Sequence, residues 1–130
     1  MTELGKTGFV FNPYGGKMKE ISSSETPFPH RSGNLYKIQY SVNWGEPGAE
    51  SEKNYTTPFV SKNPRSAFLN YRDLDIGINS FGKDSYEEGK VYGVKYFGDN
   101  FDRLVKVKTA VDPESFFRDE QSIPTFPSKA

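Results

Sequence analysis

Residues 34–44 constrain the fold more than any other stretch, because their side chains largely alternate between polar and apolar. Alternate side chains of a β-strand lie on opposite faces of a sheet. The apolar face, which we expect to cover the core, carries Tyr36, Ile38, Tyr40, Val42 and Trp44. The opposite face carries Lys37 and Gln39 and is either a solvated sheet face or a floor that faces a substrate.

Residues 68–77 are predicted to be a second strand, which ends in a polar loop. Phe68 and Tyr71 favour a pleated, half-buried surface, whereas Asp73 and Gly77 are typical turn residues. A rigid sheet often presents polar groups to a ligand where a strand ends. The local pattern alone favours the simpler interpretation, an ordinary surface ion pair that involves Arg72.

The remaining patterns predict one more strand and two helices. Residues 8–11 form a short strand, and a helix runs from Ser85 to Phe97, with Ser85 and Glu88 as a capping box and Val91, Val94 and Tyr86 turned inward. A second helix begins at Asp99 or Asn100, where Phe101, Leu104, Val105 and Lys108 recur at helical spacing. Beyond it we expect a turn at Asp112, an anchor at Phe116 and Phe117, and an extended tail over residues 121–130. The order predicts an α+β fold, an antiparallel sheet with C-terminal helices packed on one face.

The composition excludes several classes of function. The chain has 130 residues, enough for one modest domain, and 34% of them are hydrophobic, with Phe and Tyr supplying much of the apolar surface. Basic and acidic residues balance at 17 each, which gives no electrostatic case for nucleic acid or an anionic membrane. Cysteine is absent and His30 is the single histidine, so thiolate chemistry and a multi-histidine metal site are excluded; no metal is expected.

Three short motifs each have a structural and a functional interpretation. His30 and Arg31 contact either an anion or the edge of a flavin, or they form a loop tip in solvent. Lys106 and Lys108 complement the negative end of the second helix, and a phosphate contact is the sharper alternative. The pair Gly15 and Gly16 indicates a turn, because the spacing fits neither a P-loop nor a dinucleotide fingerprint.

Several stretches together resemble the C-terminal part of plant berberine bridge enzyme-like flavoproteins, a group that includes reticuline oxidase. They are residues 11–18 (FNPYGGKM), 27–31 (PFPHR), 70–75 (NYRDLD), 96–108 (YFGDNFDRLVKVK), 111–113 (VDP), 116–117 (FF) and 120–124 (EQSIP). Their order and spacing extend the resemblance over nearly the whole chain.

The resemblance implies an FAD-linked oxidoreductase that passes a hydride from a small molecule, a phenolic alcohol or a carbohydrate, to the flavin. Residues 1–77 would be the last strands of the substrate-binding domain, and residues 78–130 the berberine-like helical segment and tail. FAD would be bound mainly by an N-terminal domain that this chain lacks, so we expect the isolated chain to be inactive. The alternative is a non-catalytic binding module derived from the same family.

The resemblance also assigns roles to four positions. Tyr71 matches a tyrosine that serves as active-site base, with Lys37 as the cation beside its phenolate. Gln39 matches a flavin- or substrate-facing position that holds a catalytic glutamate in berberine bridge enzyme. An amide is no base, which argues for alcohol or carbohydrate oxidation. Asn70 matches a position near the flavin.

Two further expectations concern the rest of the chain. The family carries an additional helical segment between the positions of Thr57 and Pro58, which indicates an internal deletion here. The resemblance implies a secreted protein and Asn54 starts a glycosylation pattern, although no secretory signal precedes Gly5. The chain is therefore expected to be either cytosolic or one piece of a longer precursor.

Overall fold

The computed structural model describes residues 7–42 and 66–127, and within them the predicted α+β class is confirmed. The strands are β1 (Thr7–Pro13) and β2 (Tyr36–Val42), and the helices are α1 (Lys17–Glu20), α2 (Ser85–Phe97) and α3 (Phe101–Val111). Short 3₁₀ turns occupy Leu74–Ile76 and Gly98–Asn100. No helix among these residues is long and apolar enough to cross a membrane.

The two strands form an antiparallel pair in which Phe11 lies opposite Ile38 and Asn12 opposite Lys37. This register places Phe11 and Ile38 on one face and Lys37 on the other. The prediction that the apolar face covers the core is wrong for the described side chains, since Phe11 is 64% and Tyr36 57% exposed. Two strands offer too little surface to enclose a core of their own. Trp44 lies outside the described residues.

The strand predicted at residues 68–77 is also wrong. The Tyr71 amide donates to the Phe68 carbonyl at 2.9 Å, which closes a turn. The Asp73 carboxylate then accepts from the Asp75 amide at 3.0 Å and caps the 3₁₀ turn that follows. β-Propensity alone does not make a strand, because these residues pair with their own chain neighbours and not with a ladder partner.

Helix α2 has the predicted bounds, Ser85 to Phe97, but a different buried face. Val91 and Val94 are 52% and 41% exposed, so the prediction that they point inward is wrong; Tyr86 is half-buried. The buried residues are Gly89, Tyr92, Gly93 and Tyr96. The two glycines let other parts of the chain approach the helix closely, and the two tyrosines pack beside them.

The predicted capping box at the start of α2 is wrong as well. Asp84 occupies the N-cap position and Ser85 is the first helical residue. The Ser85 hydroxyl donates to Asn79 Oδ1 at 2.9 Å, and the Glu88 carboxylate accepts from the Ser80 amide at 2.7 Å. Both side chains therefore fasten the preceding loop to the helix.

Helix α3 buries Phe101 and Val105, as the periodicity predicts. Beyond it, the amide of Ser115 donates to the Asp112 carbonyl at 3.0 Å, so the predicted turn is present. Phe116 is 77% exposed and does not anchor the tail as predicted. The Asp112 carboxylate accepts from the backbone amides of Phe116 and Phe117, which fixes the backbone while the two rings pack on each other in solvent.

Candidate functional site

The polar face of β2 meets the loop that follows residue 66. Lys37 and Gln39 lie two residues apart on this strand and therefore on the same face. The Tyr71 hydroxyl donates to Gln39 Oε1 at 3.4 Å. The structure thus brings together Tyr71, Lys37 and Gln39, although Tyr71 lies on a turn and not on the strand predicted for it.

The ammonium group of Lys37 contacts ring faces. Its Nζ lies 4.5 Å from the ring centroid of Phe68 and 5.5 Å from that of Tyr71. A cation within about 6 Å of a ring centroid is attracted by the negative face of the ring. Lys37 is therefore held between the strand and the Tyr71 turn, with its charge next to the phenol ring.

Two rings of the N-terminal loop, those of Phe28 and His30, support this turn by packing against Phe68. The His30 ring lies 5.3 Å from the Phe28 ring and 5.7 Å from the Phe68 ring, centroid to centroid. His30 Nε2 lies 3.0 Å from the Ala67 carbonyl oxygen, and because a carbonyl only accepts, the proton in this bond is on Nε2. His30 is thus not a loop tip in solvent, because it supports the backbone of the Tyr71 turn. Its contact with an anion or with the edge of a flavin stays a prediction.

The neighbouring Arg31 is also committed to internal contacts. Its Nε donates to Thr26 Oγ1 at 2.9 Å, its Nη1 lies 3.1 Å from Met18 Sδ, and its guanidinium is over the Phe28 ring. Lys108 forms an ion pair with Asp112 and donates to the carbonyl of Phe117, so it closes the end of α3. These contacts favour the structural interpretation of both basic motifs.

The site is open to solvent. The Tyr71 side chain is 60% exposed, and Gln39 and Asn70 are also exposed. The phenol donates one hydrogen bond to Gln39, and its oxygen retains lone pairs that can accept a hydrogen bond from a substrate hydroxyl. Gln39 can orient the phenol but cannot take its proton.

The fold shifts the pKa values of several groups around α2, α3 and the tail. Burial raises the pKa of Tyr92, whose hydroxyl donates to the Ser122 carbonyl at 2.6 Å. Partial burial works to raise the pKa of Asp119, but hydrogen bonds from the Gln121 amide and Arg72 outweigh it, and the net shift is downward. These groups tie the tail to the helices.

Sequence reasoning missed the most connected residue near the site, Gln121. Its side chain is 6% exposed and donates to the carbonyls of Asp73 and Gly77 at 2.8 and 2.7 Å. It also accepts from the Tyr96 hydroxyl at 3.0 Å. Its place in the EQSIP stretch was the available signal, since that stretch contributed to the family resemblance without a role.

The side chains of the site fit one part of FAD. The ammonium of Lys37, the amides of Gln39 and Asn70 and the phenol of Tyr71 can hydrogen-bond the polar edge of a flavin ring. The chemistry of these residues therefore fits the ring side of the cofactor. The sequence has no glycine-rich fingerprint of the kind that binds a dinucleotide diphosphate at a helix N-terminus. No group of His, Asp or Glu side chains among the described residues is arranged to hold a metal ion.

Known proteins resemble this chain in sequence and in structure. Residues 67–124 match the family model described as berberine and berberine like. Berberine bridge enzyme-like 21 from Arabidopsis thaliana is 66% identical, over 100% of this chain and 26% of that protein. The alignment has 140 positions for the 130 residues of this chain, so that relative carries residues that this chain lacks. The expected deletion at Thr57 and Pro58 lies outside the described residues, as does Asn54.

Two solved structures share the fold. Wild-type Phl p 4.0202, a glucose dehydrogenase, is 46% identical with a TM-score of 0.76, over 95% of this chain and 27% of that chain. Berberine bridge enzyme from Eschscholzia californica is 35% identical with a TM-score of 0.77, over 95% of this chain and 28% of that chain. The chain thus spans about a quarter of the length of the proteins it matches.

Proposed function

Because the chain belongs to the berberine bridge enzyme-like family of plant FAD-linked oxidoreductases, we propose that it supplies the substrate-facing residues of a longer enzyme. The substrate is a small hydroxylated molecule, either a carbohydrate or a phenolic alcohol. The convergence of Tyr71, Lys37 and Gln39 on one side of the strand pair carries the proposal. A solved relative, Phl p 4.0202, is a glucose dehydrogenase, which favours the carbohydrate.

Each of the three side chains has a role in this reaction. Tyr71, as phenolate, takes the proton of the substrate hydroxyl, which prepares the carbon for loss of a hydride. The Gln39 amide orients the neutral phenol, which then loses its proton to solvent, and the ammonium of Lys37 beside the ring stabilises the negative charge of the phenolate. FAD, when bound, supplies the acceptor for the hydride. Asn70 contributes an amide on the same turn.

In this proposal the isolated chain binds no FAD by itself. Purified chain mixed with FAD should be colourless after desalting, because the groups that bind the diphosphate lie in other parts of the enzyme. A flavin absorption spectrum that persists after desalting, together with turnover of glucose or a phenolic alcohol, would contradict this expectation.

A chimera tests the role of Tyr71 directly. This chain replaces the matching quarter of Berberine bridge enzyme-like 21, and flavin reduction by glucose or a phenolic alcohol is followed by absorbance. Tyr71→Phe should lower kcat by about 10²- to 10⁴-fold with a much smaller change in KM, as expected for loss of a general base. Tyr36→Phe is the matched control, since Tyr36 lies on the opposite face of β2 from Lys37. Equal turnover of the Tyr71→Phe and Tyr36→Phe chimeras would remove Tyr71 from the reaction.

One observation favours a second function, a binding module without redox chemistry. The exposed apolar face of the strand pair, with Phe11, Tyr36 and Ile38, is typical of a surface that contacts another protein. In that case the chain should melt cooperatively without a partner when followed by circular dichroism. A melt that shows no transition would count against this function.

Secretion and glycosylation are also part of the proposal for the longer protein. They follow from the family resemblance and from the acceptor pattern at Asn54. Mass spectrometry of the protein purified from its source would detect a glycan at this position. Recovery of the unmodified peptide alone would remove Asn54 from the proposal.

A further inference from the structure

We propose that Gln121 is a positioning residue for Tyr71: it holds the end of the loop that carries the phenol, although it lies 50 positions later in the chain. The inference rests on the role given to Tyr71 above. The loop is residues 67–73, named here the Tyr71 loop. Its geometry depends on the packing of Phe68 against Phe28 and His30 and on contacts at its two ends.

The Tyr71 loop has no regular structure to hold it. One turn bond, from the Tyr71 amide to the Phe68 carbonyl, shapes its backbone. Leu69 and Tyr71 are 42% and 60% exposed, so burial of these side chains cannot fix the position of the phenol. A loop of this kind takes its conformation from the points at which it is attached to a rigid scaffold.

The first attachment is at Ala67. Its amide donates to the carbonyl of Lys95 in the last turn of α2, at 2.8 Å. Its own carbonyl accepts from His30 Nε2 at 3.0 Å. The start of the loop is therefore fastened to the helix on one side and to the N-terminal segment on the other.

The second attachment is at Asp73, and here the tail takes part. The Asp73 amide donates to the Tyr96 hydroxyl at 2.9 Å, and the Asp73 carbonyl accepts from Gln121 Nε2 at 2.8 Å. The same nitrogen donates to the Gly77 carbonyl, and Gln121 Oε1 accepts from Tyr96. Both protons and the oxygen of the amide are thus used, in a position that is nearly sealed from water.

A second contact joins the same two segments. Arg72, the residue after Tyr71, donates through two nitrogens to the two carboxylate oxygens of Asp119 at 3.0 and 2.9 Å. A bidentate pair fixes direction as well as distance. The tail is therefore hydrogen-bonded to the two residues that immediately follow Tyr71, and these bonds orient the phenol toward Gln39.

A structural amide and a positioning amide give different results when removed. Any buried amide with several partners lowers the stability of the fold when it is lost. Only a positioning amide also moves the Tyr71 ring in protein that remains folded. Asn100 provides the matched control, because its amide is buried, donates to the carbonyls of Ser23 and Phe97, and accepts from Arg103, away from the Tyr71 loop.

The experiment is ¹⁹F NMR on the full chain with 3-fluorotyrosine placed at position 71 alone. We expect Gln121→Leu to shift or split the Tyr71 resonance, and Asn100→Leu to leave it in place while it lowers the urea midpoint to a similar extent. Tyr96→Phe is the milder variant if Gln121→Leu does not fold, since it removes one hydroxyl from the same attachment. It should also move the resonance.

Two results would overturn the inference. One is an unchanged Tyr71 resonance in whichever of the Gln121→Leu and Tyr96→Phe variants folds. The other is an equal shift in Asn100→Leu, which would make the effect a general loosening of the fold. The readout is the position of the ring and not turnover, so failure here leaves the proposed reaction standing. Conversely, unchanged turnover in the Tyr71→Phe chimera leaves the attachment of the loop standing.

Discussion

Replacement of Gly93 by alanine should destabilise the protein, even though alanine is the better helix former. An ideal Cβ on Gly93 would lie 2.2 Å from Cε2 and 2.3 Å from Cδ2 of the Phe101 ring. Carbon atoms in normal contact are about 3.5–4.0 Å apart, so the ring or the helix must move by about 1.3 Å or more. The Phe101 ring is 2% exposed and cannot swing into solvent.

The sign of the effect follows from two opposing contributions to the free energy of unfolding. Overpacking a well-packed core costs about 1–3 kcal/mol. Alanine gains up to about 1 kcal/mol over glycine inside a helix. We therefore expect Gly93→Ala to lower the free energy of unfolding by about 1–2 kcal/mol. With a urea m-value of about 2 kcal/mol/M, the midpoint falls by about 0.5–1 M.

Urea denaturation followed by far-UV circular dichroism measures this change, and a second background isolates its cause. Phe101→Leu removes Cε2 and Cζ of the ring, the atoms at 2.2 and 3.2 Å, and leaves δ carbons that can rotate away. In that background Gly93→Ala should cost less than about 0.5 kcal/mol or should stabilise the protein, since only helix propensity remains. A Gly93→Ala variant with a midpoint at or above that of the unmodified chain would refute the packing argument.

Two further predictions test the tail and the end of α3. Gly89→Ala should displace the tail, because a Cβ at Gly89 would lie 2.6 Å from Cγ of Pro124. The displaced tail should be cleaved faster by a protease near Pro124 while α2 remains folded. Unchanged cleavage would contradict this prediction. The hydrogen bond from Lys108 holds the pKa of Asp112 below its ordinary value. The ionised carboxylate therefore stabilises the fold above about pH 4, and this contribution is lost as pH falls through the lowered pKa. Asp112→Asn should therefore be less stable than the unmodified chain at about pH 6, and the difference in urea midpoint should narrow as pH falls through the lowered pKa, with Glu114→Gln as the charge-matched control. A deficit that persists at low pH would contradict the assignment.

The sequence pattern predicted part of the geometry of the candidate site. Strict alternation places Lys37 and Gln39 on one face of β2, and the structure has them there. The β-propensity of its neighbours predicts a strand at Tyr71, yet the loop turns and brings the phenol to Gln39 from the side. A turn of this kind depends on attachments at Ala67 and Asp73 that come from remote segments.

The helices separate what is local from what is tertiary. The bounds of α2 were predictable because Gly98, at φ 55°, ends it, and the buried face of α3 followed from the spacing of Phe101 and Val105. The buried face of α2 was not predictable from hydrophobicity, since Val91 and Val94 are more apolar than the glycines that are buried in their place. Glycine is buried there because Phe101 and Pro124 press against the helix backbone.

The sequence by itself determined the family, the α+β class, the bounds of α2 and the side chains that bear the proposed chemistry, because these depend on short-range patterns and on residue identity. The tertiary structure alone decided which face of α2 is buried, that residues 68–77 turn, and that Gln121 reaches the Tyr71 loop. The physical reason is that a hydrogen bond or a close contact between residues 48 positions apart depends on how the whole chain packs. Nothing in the sequence around Gln121 or around Asp73 indicates that the two residues form a hydrogen bond.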